Sequence, residues 1–212
     1  MNTRTDLLNH FIRERGFRSF LEIGTADGAN FRAVECEKKV NVDPNAEATF
    51  RMTSDDFFHQ NRDKFDLVFI DGFHEWHQSL RDANNALNVL NKGGVIVMHD
   101  CHPDCEECAA HVDEYRQPDR PWCGDVWKAF AVLRAELRYK TYVWDHDWGC
   151  GVIDTAGSAE PAGKLPDVER LTFADFVSHP EWMGFVQDIT AFIRQKLAWM
   201  ESPKNVRSHR EM

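Results

Sequence analysis

The sequence predicts an α/β protein, a mostly parallel sheet with helices on both faces. Two observations carry this. Short apolar or β-branched runs alternate with longer helical stretches from residue 17 to about residue 155. The first such run ends in a glycine-bearing turn that leads straight into a helix, as in doubly wound folds. The 212 residues allow one domain with a full core, and the chain shows no internal repeat.

Thr5 is placed to cap a first helix, which Gly16 stops. Strands are expected at residues 17–23, 39–43, 49–53, 65–71 and 95–100, with a final antiparallel pair at 139–144 and 150–154. Helices are expected at 30–35, 54–61, 75–90 and 124–137, the third of these closed by Asn91-Lys92-Gly93-Gly94. Residues 156–167 read as a Gly/Pro-rich linker, and 173–200 as a helix interrupted at His179-Pro180. In that tail Phe173, Phe176, Trp182, Phe185, Phe192 and Trp199 would face the core or a homodimer partner. The charged end, 201–212, is expected to fray. The single domain thus divides into an N-terminal helix (1–16), a core (17–155) and a linker with C-terminal helices (156–212).

Composition narrows the function classes. Hydrophobic residues at 42% and charged residues at 28% fit a soluble globular chain, without the ~18-residue apolar run that a membrane helix needs. The opening Met1-Asn2-Thr3-Arg4-Thr5-Asp6 lacks the apolar stretch of a signal peptide, so a cytoplasmic protein is expected. A net charge of -10 argues against nucleic acid as the main partner. The six cysteines are then expected as reduced thiols.

The first strand runs into Leu21-Glu22-Ile23-Gly24-Thr25-Ala26-Asp27-Gly28. Glycines at such a turn let the backbone approach a ligand that a Cβ would block. Asp43 ends the second strand, fifteen residues after Gly28, where doubly wound folds hold a ribose diol. Thr53-Ser54-Asp55 either caps the next helix or meets an adenine. Dinucleotide dehydrogenases share the first two of these features.

The ordered series is more specific. The glycine turn, Asp43, the run Phe65-Asp66-Leu67-Val68-Phe69-Ile70-Asp71-Gly72-Phe73-His74 and the run Leu90-Asn91-Lys92-Gly93-Gly94-Val95-Ile96-Val97-Met98-His99-Asp100 resemble the successive motifs of class I S-adenosylmethionine-dependent methyltransferases. The nearer likeness is to the macrocin- and cephamycin-type O-methyltransferases, over about residues 17–100. It implies a Rossmann-like seven-stranded sheet of order 3-2-1-4-5-7-6. It also implies that Glu22, Gly24, Gly28 and Asp43 hold the methionine and ribose parts of S-adenosylmethionine, with Thr25, Ala26 and Asn30 in the same turn. Ser54 and Asp55 would lie by the adenine, and Asp71 at the cofactor's reactive end. Ala26 replaces the middle glycine of the usual G-x-G-x-G, which implies an altered loop rather than lost binding.

Asp71 and Asp100 end neighbouring strands, with His74, His99 and His102 close in sequence, so carboxylates and imidazoles converge on one sheet edge. An imidazole suits a base for a hydroxyl acceptor. By resemblance, the acids matching Asp71 and Asp100 bind Mg²⁺ and the histidine matching His74 is the base. His99 stands where that pattern has a further acid, and imidazole favours Mn or another transition metal over Mg. The site thus takes either a different divalent metal, held by Asp71, Asp100 and His99, or none.

Cys101, Cys105 and Cys108 also form C-x3-C-x2-C, the spacing of radical S-adenosylmethionine enzymes. It follows the fifth strand rather than the first strand of a barrel, which disfavours a cluster. A zinc site from Cys101, His102, Cys105, Cys108, His111 and Cys123 competes with a plain loop. Asp125, Trp127 and Lys128 are candidates for acceptor contact, and 144–149 reads as a tight turn. The expected function is methyl transfer to a small molecule, at a hydroxyl oxygen, with His74 as base and Asp71 and Asp100 as orienting carboxylates. N-methylation of an amine, a non-catalytic cofactor-binding protein and a nicotinamide enzyme are the alternatives.

Overall fold

The computed structural model describes residues 1–116 and 121–188. Seven strands form one sheet: β1 (Ser19–Ile23), β2 (Lys38–Val42), β3 (Phe65–Ile70), β4 (Leu90–Met98), β5 (Tyr139–Trp144), β6 (Cys150–Ser158) and β7 (Phe185–Val186), in the order β2-β1-β3-β4-β6-β5-β7. The first four strands are parallel, β6 is antiparallel to both β4 and β5, and β7 adds a parallel edge. This is the Rossmann-like, mostly parallel sheet that the sequence leads one to expect, with the last hairpin running antiparallel.

The continuous apolar runs have a direct cause, since both faces of the sheet are covered. Val68, Ile70, Ile96 and Met98 pack against helices α3 (Ser54–Gln60), α4 (Trp76–Val89) and α5 (Val126–Glu136), and against the short α6 (Phe173–Ser178). Their neighbours Leu67, Phe69, Val95 and Val97 turn the other way, onto Leu7, Leu8, Phe11 and Ile12 of α1 (Arg4–Arg15). Helix α2 (Ala29–Ala33) follows the glycine turn.

Several boundaries differ from expectation. The strand expected at 49–53 shrinks to a single parallel bridge between Phe50 and Val42; Phe50 remains exposed, so a longer strand would have bought no burial. Thr3, not Thr5, caps α1, in a capping box with Asp6. Asn91-Lys92-Gly93-Gly94 belongs to β4 rather than to a separate turn. In place of helix, the described residues from Pro180 form a 3₁₀ turn (Pro180–Trp182) and then the edge strand β7, Phe185 and Val186; the helix expected over 189–200 lies outside the described residues. The expectations for Phe192, Trp199 and 201–212 lie outside the described residues. Among the described residues, no helix is long and apolar enough to cross a membrane.

Candidate active site

A cavity of about 730 Å³ opens at the carboxyl ends of β1, β2 and β3, the place where open α/β sheets take ligands. Gly24, Ala26, Asp43, Ser54, Asp55 and Asp71 line it, as do His74, His99 and Asp100. Glu22, Thr25, Gly28 and Asn30 do not. They form the layer behind it: Glu22, 1% exposed, accepts from Thr25 Oγ1 at 2.6 Å and Asn30 Nδ2 at 2.7 Å. Burial raises the Glu22 pKa, and those two hydrogen bonds oppose the rise.

Gly24 explains the close approach of strand ends. Its φ is +81°, and a Cβ there would lie 2.0 Å from the Asp71 carbonyl oxygen. Ala26 keeps a left-handed φ of 44°, so alanine adopts the glycine-like turn instead of reshaping it. The Asp43 carboxylate closes the loop, accepting from the backbone amides of Thr25, Ala26, Asn45 and Ala46. Burial works against its charge, but those amides together hold its pKa low.

At the other end, Asp71 and Asp100 converge with two imidazoles. Asp100 turns out of β4 at a φ of 60°, a strained conformation of the kind found at functional sites. His74 Nδ1 lies 2.8 Å from the Trp122 carbonyl oxygen, which only accepts, so Nδ1 carries the proton. Nε2 lies 3.4 Å from Asp71 Oδ1 and 3.3 Å from Asp100 Oδ2, both acceptors, so it carries a hydrogen in the charged ring and offers a lone pair only in the neutral one. Burial lowers the His74 pKa, but the Asp71 hydrogen bond and the two carboxylate charges prevail and raise it to about 8. Gly124 permits this arrangement, since a Cβ there would meet the His74 carbonyl oxygen at 1.9 Å.

His99 is oriented oppositely. Arg4 Nη1 lies 2.9 Å from its Nε2, and a guanidinium has only donors, so Nε2 accepts and Nδ1 bears the hydrogen. Nδ1 lies 3.1 Å from Asp100 Oδ2 and 3.3 Å from Asp71 Oδ1. Burial presses the His99 pKa down, but the Asp71 and Asp100 carboxylates, with Asp147 beside the ring, draw it well up. Burial works against the charge of partly buried Asp71, but His99 and His74 hold its pKa well below the carboxylate range. Among the described residues Asp71, His74 and Asp100 lie close enough together to share a cation, as do Asp104, Cys105 and Cys108, and His99 Nδ1 stands within 3.3 Å of the Asp71 and Asp100 carboxylates.

His102 does not join them; its Nδ1 pairs with Asp145, and its ring packs on Phe185. Nor do the cysteines assemble a site from the six residues considered. Cys105 and Cys108 form a disulfide, a correction to the expectation of six reduced thiols, and Cys36, Cys101, Cys123 and Cys150 are free. Asp125, Trp127 and Lys128 also fall elsewhere, around a separate cavity of about 470 Å³, with Trp127 only 1% exposed. Sequence reasoning missed Arg4, Gln78, Asp82 and Trp148, all of which line the main cavity. Only Trp148 lay in a stretch with a marked local pattern, the turn 144–149, where Asp147, Trp148 and Gly149 have positive φ.

Residues 19–101 match the family model described as a methyltransferase domain. The matched stretch holds β1 to β4, the glycine turn, Asp43, Asp71, His74 and Asp100. No curated protein sequence matches the chain. Among solved structures, a Staphylococcus aureus protein provisionally named a caffeoyl-CoA O-methyltransferase is 19% identical, with a TM-score of 0.54 over 71% of this chain and 82% of that one. A methyltransferase from Podospora anserina bound to S-adenosylhomocysteine is 17% identical, with a TM-score of 0.53 over 73% of this chain and 79% of that one. A Klebsiella pneumoniae protein provisionally named an O-methyltransferase gives 17% and 0.54, over 74% and 80%. At such identities the likeness is one of fold.

Proposed function

We propose that this protein is an S-adenosylmethionine-dependent methyltransferase that methylates a hydroxyl oxygen of a small molecule, with His74 as the base. The observation that carries the reading is the His74 ring, held through Nδ1–H by the Trp122 carbonyl with Nε2 at the cavity between Asp71 and Asp100; its pKa, raised to about 8, makes the neutral ring the base and favours activity at mildly alkaline pH. S-adenosylmethionine, when bound, supplies an electrophilic methyl group. The Gly24 cradle and the acids around it fit a cofactor that carries sulfonium and ammonium charges. His74 Nε2 takes the acceptor's hydroxyl proton, and the Asp71 and Asp100 carboxylates stabilise the resulting imidazolium. Pro121, Trp122 and Trp148 wall the cavity and give the acceptor an apolar surface to pack on.

The same lone pair supports a second reading. Two carboxylates and one imidazole nitrogen within mutual reach suit a divalent ion such as Mn or Zn, which would lower the hydroxyl pKa. One Nε2 lone pair cannot both take a proton and hold a metal, so the readings separate. Against a panel of small phenols, alcohols and amines with labelled methyl donor, His74→Ala should keep S-adenosylhomocysteine affinity and lose about 10²–10⁴-fold in turnover. Unchanged turnover would remove His74 as base. If wild-type activity disappears on chelation and returns with added Mn or Zn, the metal reading replaces the base. Turnover of amines alone would favour N-methylation.

A further inference from the structure

Arg4 is the only lysine or arginine among the described residues lining the main cavity, where Asp43, Asp55, Asp71, Asp82 and Asp100 are also found. Such a lining suits the two cationic groups of S-adenosylmethionine and repels its one anionic group, the amino-acid carboxylate. That carboxylate needs a fixed cation, and a planar guanidinium matches it well.

Arg4 reaches the cavity from the first turn of α1, and three contacts aim it. Its backbone amide donates to Asp147 Oδ2 at 2.6 Å, its Nη1 lies 3.3 Å from Asp147 Oδ1, and the same Nη1 donates to His99 Nε2. Its Nε stands 4.0 Å from Asp71 Oδ2. Nη2 makes no hydrogen bond to a described residue, and the side chain remains one-third exposed, so a donor pair is open to the cavity. The next residue fixes which end of the cavity this is. Thr5 Oγ1 donates to Asn30 Oδ1 at 2.7 Å, and Asn30 bonds Glu22 in the layer behind the glycine turn. Asp71 in turn packs its carbonyl against Gly24.

We propose that Arg4 is the residue that binds the amino-acid carboxylate of the cofactor. The inference rests on the reading of this cavity as the S-adenosylmethionine site. It makes the start of α1, which precedes the recognised domain, a part of the cofactor pocket.

The test compares S-adenosylhomocysteine with its decarboxylated analogue by calorimetry on the full chain. Wild type should prefer the carboxylate-bearing ligand by about 10–100-fold, the range for a charge-assisted contact. Arg4→Met should abolish that preference by weakening S-adenosylhomocysteine alone, leaving the analogue's affinity unchanged. Arg4→Lys should restore part of it, and serves if the methionine variant folds poorly. Equal weakening of both ligands would mean that Arg4 only holds α1 in place, and an unchanged preference would mean that another group takes the carboxylate; either overturns the proposal. Failure of wild type to bind S-adenosylhomocysteine at all would instead sink the cofactor reading on which it rests.

Discussion

Ala26 and Gly24 sit two residues apart in one turn and answer to different physics. Ala26 has φ 44°, a region in which a Cβ costs roughly 1 kcal/mol, yet it is exposed and touches nothing that forbids it. Ala26→Gly is therefore expected to stabilise the protein by about 0.5–1 kcal/mol in urea unfolding, with S-adenosylhomocysteine affinity retained. A loss of stability would mean that the loop does not hold this conformation. At Gly24 the left-handed φ is joined by a collision, because the new Cβ would fall 2.0 Å from a backbone oxygen of Asp71. Gly24→Ala should thus cost about 1–3 kcal/mol and displace Asp71, and calorimetry should show a weakened ligand. Ala26 also shows why a departure from a motif need not remove its conformation. The backbone geometry survives at a local cost.

Among the elements, α1 has more to do than cover one face of the sheet. Thr3 accepts from the Asp6 amide and Asp6 answers with its carboxylate on the Thr3 amide, so the first turn, with Arg4 and Thr5 in it, is fixed. Thr3→Ala should cost about 1 kcal/mol in thermal unfolding and also weaken S-adenosylhomocysteine, because Arg4 is then aimed less firmly. A fall in melting temperature with unchanged affinity would show that the cap serves only the helix. The sheet was legible in the sequence because its strands are buried on both faces: Leu67, Val68, Phe69 and Ile70 alternate in direction but are all apolar. Asp71, His74 and Asp100 were legible because strand ends and a short βα turn place them by local geometry. Arg4 was not, since its partners are His99 and Asp147, and no local pattern marks a contact across so much chain. The edge strand at Phe185–Val186 was hidden for a similar reason. Two residues following a proline turn have no periodicity, and only their pairing with Val143 and Trp144 makes them a strand.

For the molecule as a whole, Asp82 links the stability of the fold to the chemistry of the cavity. It lies on α4, 1% exposed, in the group of residues that closes one face of the sheet, and it lines the main cavity with Ser54 and Gln78. Gln78 Nε2 donates to it at 3.0 Å. Burial is the leading cause of its pKa being raised from 3.8 to about 6, and the hydrogen bonds from Ser54 and Gln78 offset only part of that. The folded state therefore binds this proton more tightly than the unfolded chain does. Stability contributed by the protonated group is complete below about pH 4, falls as pH rises through the window up to about 6, and stays lost above it. The cost at neutral pH is on the order of 1–3 kcal/mol, a large share of a small domain's margin. Asp82→Asn keeps an acceptor for Gln78 and removes the charge, so it should stabilise the protein by that order at pH 7.5 and by almost nothing at pH 4. Urea unfolding at the two pH values reads this directly. An equal gain at both, or none at pH 7.5, would show that Asp82 is not the strained group. A gain confined to pH 7.5 but accompanied by weaker S-adenosylhomocysteine binding would explain why a charge so costly to the fold is kept: it would be stability given up for a polar cavity wall.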